Sequence, residues 1–204
     1  LEGVAAESAE PVEDMCPTWS PDGTRLSFGR LVDPQLAAAR RAELVIVPVG
    51  PGGSAGDPTV IALDGFDARF DPCAIWAPDG RWLALAGGCQ VLVVDSHTGV
   101  VRHLPDLRPT DLEWRPGTDE LAIAGDHVNS NRAASAPVVL YSVSADAQRP
   151  LGSIRAAAIT WSPDGSTLAY TASYDDRARG LWLVDADGTD PQLLTQMGGA
   201  NHGV

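Results

Sequence analysis

The first residues to weigh are those that could do chemistry. Gly52-Gly53-Ser54-Ala55-Gly56 fits the G-x-S-x-G pattern of a hydrolase nucleophile. That motif needs a strand before the serine and a helix after it, so that the hydroxyl stands on a strained elbow. Here Asp57-Pro58 and then an apolar strand-like run follow, so the sequence predicts a Gly-rich loop. Asp185, Asp187 and Asp190 surround Gly188 in the manner of a calcium loop, but the downstream glutamate and the loop length are missing. A hairpin closing on Asp-Gly accounts for them better. His97, His103, His127 and His202 show no paired metal-ligand spacing. His127, which opens a polar insertion, is the one worth testing. Cys16, Cys73 and Cys89 are an odd count and define no disulfide framework. Cys16 and Cys73 each precede a tryptophan by three residues, which makes them equivalent positions of neighbouring repeats. Cys73 and Cys89 begin the first and third strands of one repeat, about 9–10 Å apart and beyond disulfide reach. Buried free thiols are therefore the expectation. No metal and no cofactor is expected.

The elements that would carry these residues are set by a repeat. Trp161-Ser-Pro-Asp-Gly-Ser-Thr-Leu-Ala-Tyr170 reads as two strands joined by a tight turn. Pro163 presets φ, Asp164 suits the next position, and Gly165 takes the left-handed conformation that follows. The pattern recurs at Trp19 to Phe28 and Trp76 to Leu85, and in degraded form at Trp114 to Ile123. In the degraded copy Pro116 is followed directly by Gly117, which favours a type II turn. The tryptophans lie 57, 38 and 47 residues apart. Each repeat holds four short apolar runs broken by Gly and Pro, which predicts propeller blades in an all-β fold. The expected blades span 15–64, 72–105, 110–152 and 156–195. Residues 1–14 are expected to form a mobile arm or an outer strand lent to a neighbouring blade. A β-sandwich would not require one local motif to recur in phase. The tryptophans themselves are read as wedges between blades, because a ligand-stacking role would need them exposed.

The formal net charge is −13, with no lysine. Without a basic stripe the chain is a poor candidate for nucleic acid or an anionic membrane surface. No apolar run approaches the roughly 20 residues that span a bilayer. The chain begins at Leu1 rather than Met, so the lack of a signal peptide says little about compartment.

The WSPDG-x-x-LA-aromatic hairpin, followed by LWLVDADG at Leu181 to Gly188 and QLLT at Gln192 to Thr195, resembles the WD40-like repeat of TolB-type β-propellers. The same repeat occurs in propeller domains of prolyl-oligopeptidase-family peptidases. The resemblance covers Met15 to Thr195 and departs from the pattern in the third repeat. It implies one of two functions. The first is a non-catalytic scaffold that binds a protein or peptide, periplasmic or extracellular. The second is the accessory propeller of a serine peptidase whose catalytic domain is absent from this chain. A propeller lyase or hydrolase with its own central site is a third reading. The family closes rings of six or seven blades, and only four repeats are visible. The expectation is self-association, further blades in a longer parent chain, or a small ring, with a self-sufficient four-bladed monomer disfavoured.

Length varies at the turn between the second and third strands: two glycines in the second repeat, but Asp33 to Arg41, Asp126 to Ala136 and Tyr174 to Arg179 in the others. Loops that lengthen on one side of a rigid scaffold are where recognition is expected. The predicted partner-binding residues are His127, Asn129, Asn131, Arg132, Tyr174, Asp175, Asp176, Arg177 and Arg179, which combine an aromatic and arginines with polar groups.

Overall fold

Each repeat begins with a turn that closes on its own side chains. In the computed structural model Gly23 and Gly165 sit at φ 69° and 68°, and their amides donate to Ser20 O and Ser162 O at 2.9 and 2.8 Å. Asp22 accepts from the Ser20 hydroxyl at 2.6 Å and the Thr24 amide at 3.0 Å. Asp164 does the same with Ser162 and Ser166, at 2.6 and 3.1 Å. These bonds hold both carboxyls down at about 2, the serine hydroxyls contributing most. The third repeat turns differently, as expected. Gly117 itself takes φ 72°, and the Thr118 amide closes the turn on Arg115 O at 3.3 Å.

The structure describes residues 11–33, 40–104, 107–127, 137–172 and 180–196. Among the described residues sixteen strands build four antiparallel meanders. The first blade is β1 (Val12–Trp19), β2 (Arg25–Val32), β3 (Arg41–Pro48) and β4 (Thr59–Ala62). The second is β5 (Ala74–Trp76), β6 (Trp82–Gly87), β7 (Gln90–Asp95) and β8 (Val101–Leu104). The third is β9 (Leu107–Trp114), β10 (Glu120–His127), β11 (Val139–Ser142) and β12 (Ala147–Pro150). The fourth is β13 (Ala156–Trp161), β14 (Thr167–Ala172), β15 (Gly180–Asp185) and β16 (Gln192–Gln196). β1 starts at Val12 rather than Met15, β9 starts at Leu107 rather than Asp111, and β10 runs on to His127 rather than ending at Ala124. Polar and proline residues such as Arg108 and Pro109 continue the ladder because the partner strand supplies the pairing. No described helix is long and apolar enough to cross a membrane.

Period-2 alternation gives each blade two apolar faces, and at the three junctions between described blades the facing sides are buried against each other. Leu44 and Ile46 of the first blade meet Trp76, Leu83 and Leu85 of the second. Ala84, Val91 and Val93 on the reverse of the second blade meet Trp114, Leu121 and Tyr141 of the third. Ala122 and Leu140 then meet Trp161, Leu168 and Tyr170 of the fourth. The tryptophan is a wedge, as the repeat predicts: Trp76, Trp114 and Trp161 are 9, 5 and 6% exposed. Trp19 departs from this at 53%, because no described blade precedes it. A small residue eight positions after each tryptophan (Ser27, Ala84, Ala122, Ala169) makes room for the next ring.

The cysteines overturn the expectation of free buried thiols. Cys16 and Cys73 form a disulfide across the first two blades, with Cα atoms 5.2 Å apart. Register breaks between Met15 and Thr18, and Cys16 takes φ 54° there. Such a bulge re-aims a side chain out of its ladder, here toward the next blade. Cys89 is free, and it is exposed rather than buried.

Candidate functional site

The two sides of the blade array spend their polar groups differently. On the side of the tight turns, charge is turned inward. Arg25 leaves the first blade, lies 4.9 Å over the Trp76 ring and donates to Gly80 O and Ser96 Oγ at 2.5 and 2.9 Å. Arg115 repeats this from the third blade, 5.2 Å over Trp161 and donating to Gly165 O at 2.8 Å. Arg102 joins the second blade to the third through Val143 O at 2.7 Å and Tyr141 Oη at 3.2 Å. The Tyr141 hydroxyl donates in turn to Asp146 at 2.6 Å. Burial pushes the Tyr141 hydroxyl up, and the Asp146 bond adds to that. Glu120 accepts from both Arg115 and Arg149, at 2.7 and 2.9 Å. Asp95 is almost fully buried. Burial alone would raise its carboxyl, but Arg81 at 2.7 Å and the amides of His97 and Thr98 hold it low. These contacts order the turns and fasten neighbouring blades.

The inner strands carry a second set of fastenings that the sequence did not single out. Asp111 and Glu113 alternate on β9, so they share a face. The Ile159 amide of β13 donates to Asp111 at 2.8 Å. The Trp161 amide faces the Glu113 carboxylate, and the Thr160 hydroxyl lies 3.4 Å from it. Burial pushes the Glu113 carboxyl up, and the nearby Asp111 charge adds to this. Asp111 stands three residues before its tryptophan, the position of Cys16 and Cys73. Aligning the repeats on tryptophan would have exposed that equivalence.

The opposite side carries the variable turns. His127 ends β10, with its backbone paired to Leu107. Asn129, Asn131, Arg132, Tyr174, Asp175, Asp176, Arg177 and Arg179 lie outside the described residues, as do the whole segments 34–39 and 128–136. What is described there is the root of the third-blade turn. Gly125, Ile123, Leu107, Pro109, Pro137 and Val139 line a notch. Beside it Pro137, Val139, Gln148, Arg149 and Pro150 line a cleft of about 260 Å³. Gly125 sits at φ 155° beside a register break, and a Cβ there would run into Arg108 O. This cleft is lined mainly by proline and aliphatic carbon, unlike the tight-turn side. No local motif in the sequence marks it.

The remaining chemical candidates are placed plainly. Ser54 is exposed in the loop after β3, its hydroxyl 3.5 Å from Pro51 O, and the chain runs on into β4 rather than a helix. Asp187 accepts from the Thr189 amide and hydroxyl at 2.9 and 2.6 Å, and Asp190 from Gln192 at 2.9 Å. Both are turn contacts, as a hairpin requires. His97 and His103 sit near Asp95 and Gln90 respectively. Among the described residues no three His, Cys, Asp or Glu side chains converge as a metal site.

No family model matches this chain, and no curated protein matches it. Solved structures do. TolB from Acinetobacter baumannii is similar over 92% of this chain and 44% of its own, at 16% identity and a TM-score of 0.57. The putative TolB from Agrobacterium tumefaciens is similar over 93% and 64%, at 17% identity and 0.57. A Mycobacterium tuberculosis puromycin-hydrolysing peptidase is similar over 90% and 29%, at 14% identity and 0.62. The chain thus spans less than two thirds of each. Identities this low carry the fold alone, and with the four meanders and their wedging tryptophans they make this chain a TolB-like β-propeller fold.

Proposed function

We propose that this chain is a non-catalytic propeller that docks a protein or peptide through the side bearing the variable turns. The observation that carries this reading is the contrast between the two sides. On the tight-turn side the described arginines and most of the turn carboxylates bond to their own turns and neighbouring blades. On the variable-turn side an apolar cleft opens at the root of residues 128–136, and apolar concavities rimmed by polar loops suit peptide side chains. TolB, which this fold is similar to, supports the same reading by analogy of fold only. The inter-blade disulfide supports an oxidising, extracytoplasmic compartment.

The test is selection of peptides from a displayed library against the purified chain, followed by affinity measurement on two variant sets. One set removes His127, Asn129, Asn131 and Arg132, or Tyr174, Asp175, Asp176, Arg177 and Arg179, to alanine. The other alters the tight-turn side at His97→Ala and Ala145→Arg. Affinity is expected to fall at least tenfold in the first set and stay within about twofold in the second. The reverse pattern would place the interface on the other side.

The second reading, an accessory propeller of a serine peptidase, draws on the likeness to the puromycin-hydrolysing peptidase. A catalytic domain encoded in the same reading frame would favour it.

A further inference from the structure

Between β4 and β5 the chain runs through a connector, residues 63–73, on the side of the variable turns. It is held at several points. The Phe66 ring is buried and lies against Gly87, where a Cβ would run into it. A Cβ at Gly88 would lie 3.2 Å from the Asp67 carboxylate and 3.4 Å from the Phe70 ring. The two glycines of the β6–β7 turn thus leave the space in which the connector is seated. Gln90 donates to Gly65 O at 2.6 Å, and Arg40 to Ala68 O at 3.3 Å. The Phe70 amide closes a turn on Asp67 O at 3.0 Å. The Asp67 carboxylate accepts from the Arg69 guanidinium at 2.6 and 2.9 Å.

One large side chain of this fastened segment faces water. Phe70 is 47% exposed. Among the described residues, Phe70 and Val100 are the large exposed hydrophobics that lie outside strands, and Val100 belongs to a turn on the tight-turn side. Elsewhere in the chain arginine covers the rings: Arg25 lies over Trp76, Arg81 and Arg102 over Trp82, and Arg115 over Trp161. Arg30 does the same at the surface of the first blade. It lies 5.5 Å over Phe28 and donates to both oxygens of Asp14, at 2.7 and 3.0 Å. Phe70 has the ring and, next to it in the chain, the carboxylate of Asp71. Among the described residues no cation lies over that ring. Asp71, and Asp64 at the start of the connector, are exposed, and among the described residues their side chains bond to nothing. Arg69 is committed to Asp67.

We propose that the connector receives an arginine of a protein or peptide partner, the guanidinium lying on the Phe70 ring and pairing with Asp71. This rests on the reading that the variable-turn side docks a partner, and it names the chemistry that side selects. Charge complementarity favours a cationic partner. The chain carries a formal −13, the connector's one arginine is neutralised by Asp67, and Asp64 and Asp71 remain unpaired beside the ring. A field of that sign draws cations in. A cation over an aromatic face is attracted by the ring quadrupole, more strongly as water is excluded. A planar guanidinium can stack on the ring while its N–H edge bonds a carboxylate, as Arg30 does with Phe28 and Asp14. The connector is fastened before any partner arrives, so little ordering is lost on contact. A ring and an arginine meeting across an interface are the usual anchors.

The experiment uses peptides selected against the purified chain from a displayed random library. Each is resynthesised with arginine or with citrulline, which keeps the shape and removes the charge. Affinities are measured on wild type, Phe70→Leu and Asp71→Asn, each checked for wild-type circular dichroism and thermal unfolding. Phe70→Leu keeps an apolar contact over Gly88 and loses the aromatic face. On wild type, citrulline at one position should weaken binding at least about threefold, and added salt should narrow that difference. On either variant the same exchange should be close to neutral. If Phe70→Leu lowers the unfolding midpoint, Asp71→Asn carries the comparison alone. Some peptides could lose affinity when the His127 or Tyr174 loop side chains are removed, yet need no arginine. Others could lose as much to citrulline on the variants as on wild type. Either result would overturn this proposal and leave docking on that side standing. Peptides that bind only the tight-turn side, or a selection that yields none, would sink both.

Discussion

The first and last junctions of this chain use one position of the repeat for two different fastenings. Three residues before the tryptophan, blades one and two carry Cys16 and Cys73 and are joined covalently. At the same position the third blade carries Asp111, which holds the fourth through the Ile159 amide at 2.8 Å. Around each, an arginine lies over the receiving tryptophan and donates to the receiving turn, Arg25 at one junction and Arg115 at the other. The apolar wedge is common to both. What differs is the environment each junction answers to: the first is open to reductant, the last to protons. The comparison teaches that the tryptophan and the small residue facing it are the repeat's constant requirement, while the inner-strand fastening can change chemistry from blade to blade.

The largest expected effect comes from removing the covalent fastening. The bond links residues 57 apart, and closing a loop of that length stabilises by about 4 kcal/mol in the chain-entropy model. Cys16→Ser with Cys73→Ser should therefore lose about 2–4 kcal/mol in urea unfolding, and wild type in dithiothreitol should match it. A reduced protein as stable as the oxidised one would show that the wedge alone holds this junction. At the last junction reductant should do nothing beyond its effect on the first.

Next in size is the turn that the last junction closes upon. Gly165 sits at φ 68°, and a Cβ there would lie 2.7 Å from Pro116 O of the preceding blade. Gly165→Val meets both the left-handed backbone and that carbonyl, at a cost of about 1–3 kcal/mol. Gly23→Val, at φ 69° with nothing within 4 Å, isolates the backbone part. Thermal unfolding of the pair should show the greater loss at Gly165. Equal losses would mean that the Pro116 contact relaxes freely.

Asp111→Ala removes a carboxylate that accepts from two amides, Ile159 and its own neighbour Leu112 at 3.0 Å. A loss of about 1–2 kcal/mol is expected, smaller than the disulfide's. Asp111→Asn should recover part of it, since one acceptor oxygen remains. A loss as large as that of the double cysteine variant would make the two fastenings equal and undo the ranking.

The turns, the blades and the wedging role of tryptophan were legible in the sequence because they are local. A tight turn is set by four residues, and a strand by alternation over five or six. The inter-blade features were not, because they depend on what a neighbouring blade presents. Cys16 and Cys73 could be recognised as equivalent, but strand spacing within one blade does not measure the distance between inner strands of two. Arg25 and Arg115 do the same work from six and one positions after their tryptophans, so no alignment of repeats pairs them. Trp19 shares its motif with three buried rings and differs in that no described blade packs against it. For the candidate site, the variable turns could be found by their length. The apolar cleft beneath them could not, because Val139 and Pro150 are brought together by the pairing of β11 with β12.

The smallest effect expected is also the one that most sharply separates the two junctions. Burial raises the Glu113 carboxyl, and the charge of Asp111, two residues away on the same face, raises it further. A carboxyl whose folded pKa lies above its unfolded value favours the fold in its protonated form. Its stabilisation is fully present below about pH 4.3, the ordinary glutamate value, and is lost as pH rises through the raised folded value. Glu113→Gln keeps an oxygen to face the Trp161 amide and the Thr160 hydroxyl, but cannot ionise. It should match wild type near pH 4 and exceed it by a few tenths of a kcal/mol at pH 7, the small size reflecting a half-exposed group screened by solvent. In Asp111→Asn the second cause is gone, so the same Glu113→Gln change should gain less. The disulfide junction has no counterpart: Cys16→Ser with Cys73→Ser should shift stability by one constant amount across pH 4 to 7. Urea unfolding at several pH values measures all three. If Glu113→Gln shifts stability equally at pH 4 and pH 7, the carboxyl does not titrate within the junction, and the last junction differs from the first in covalency alone.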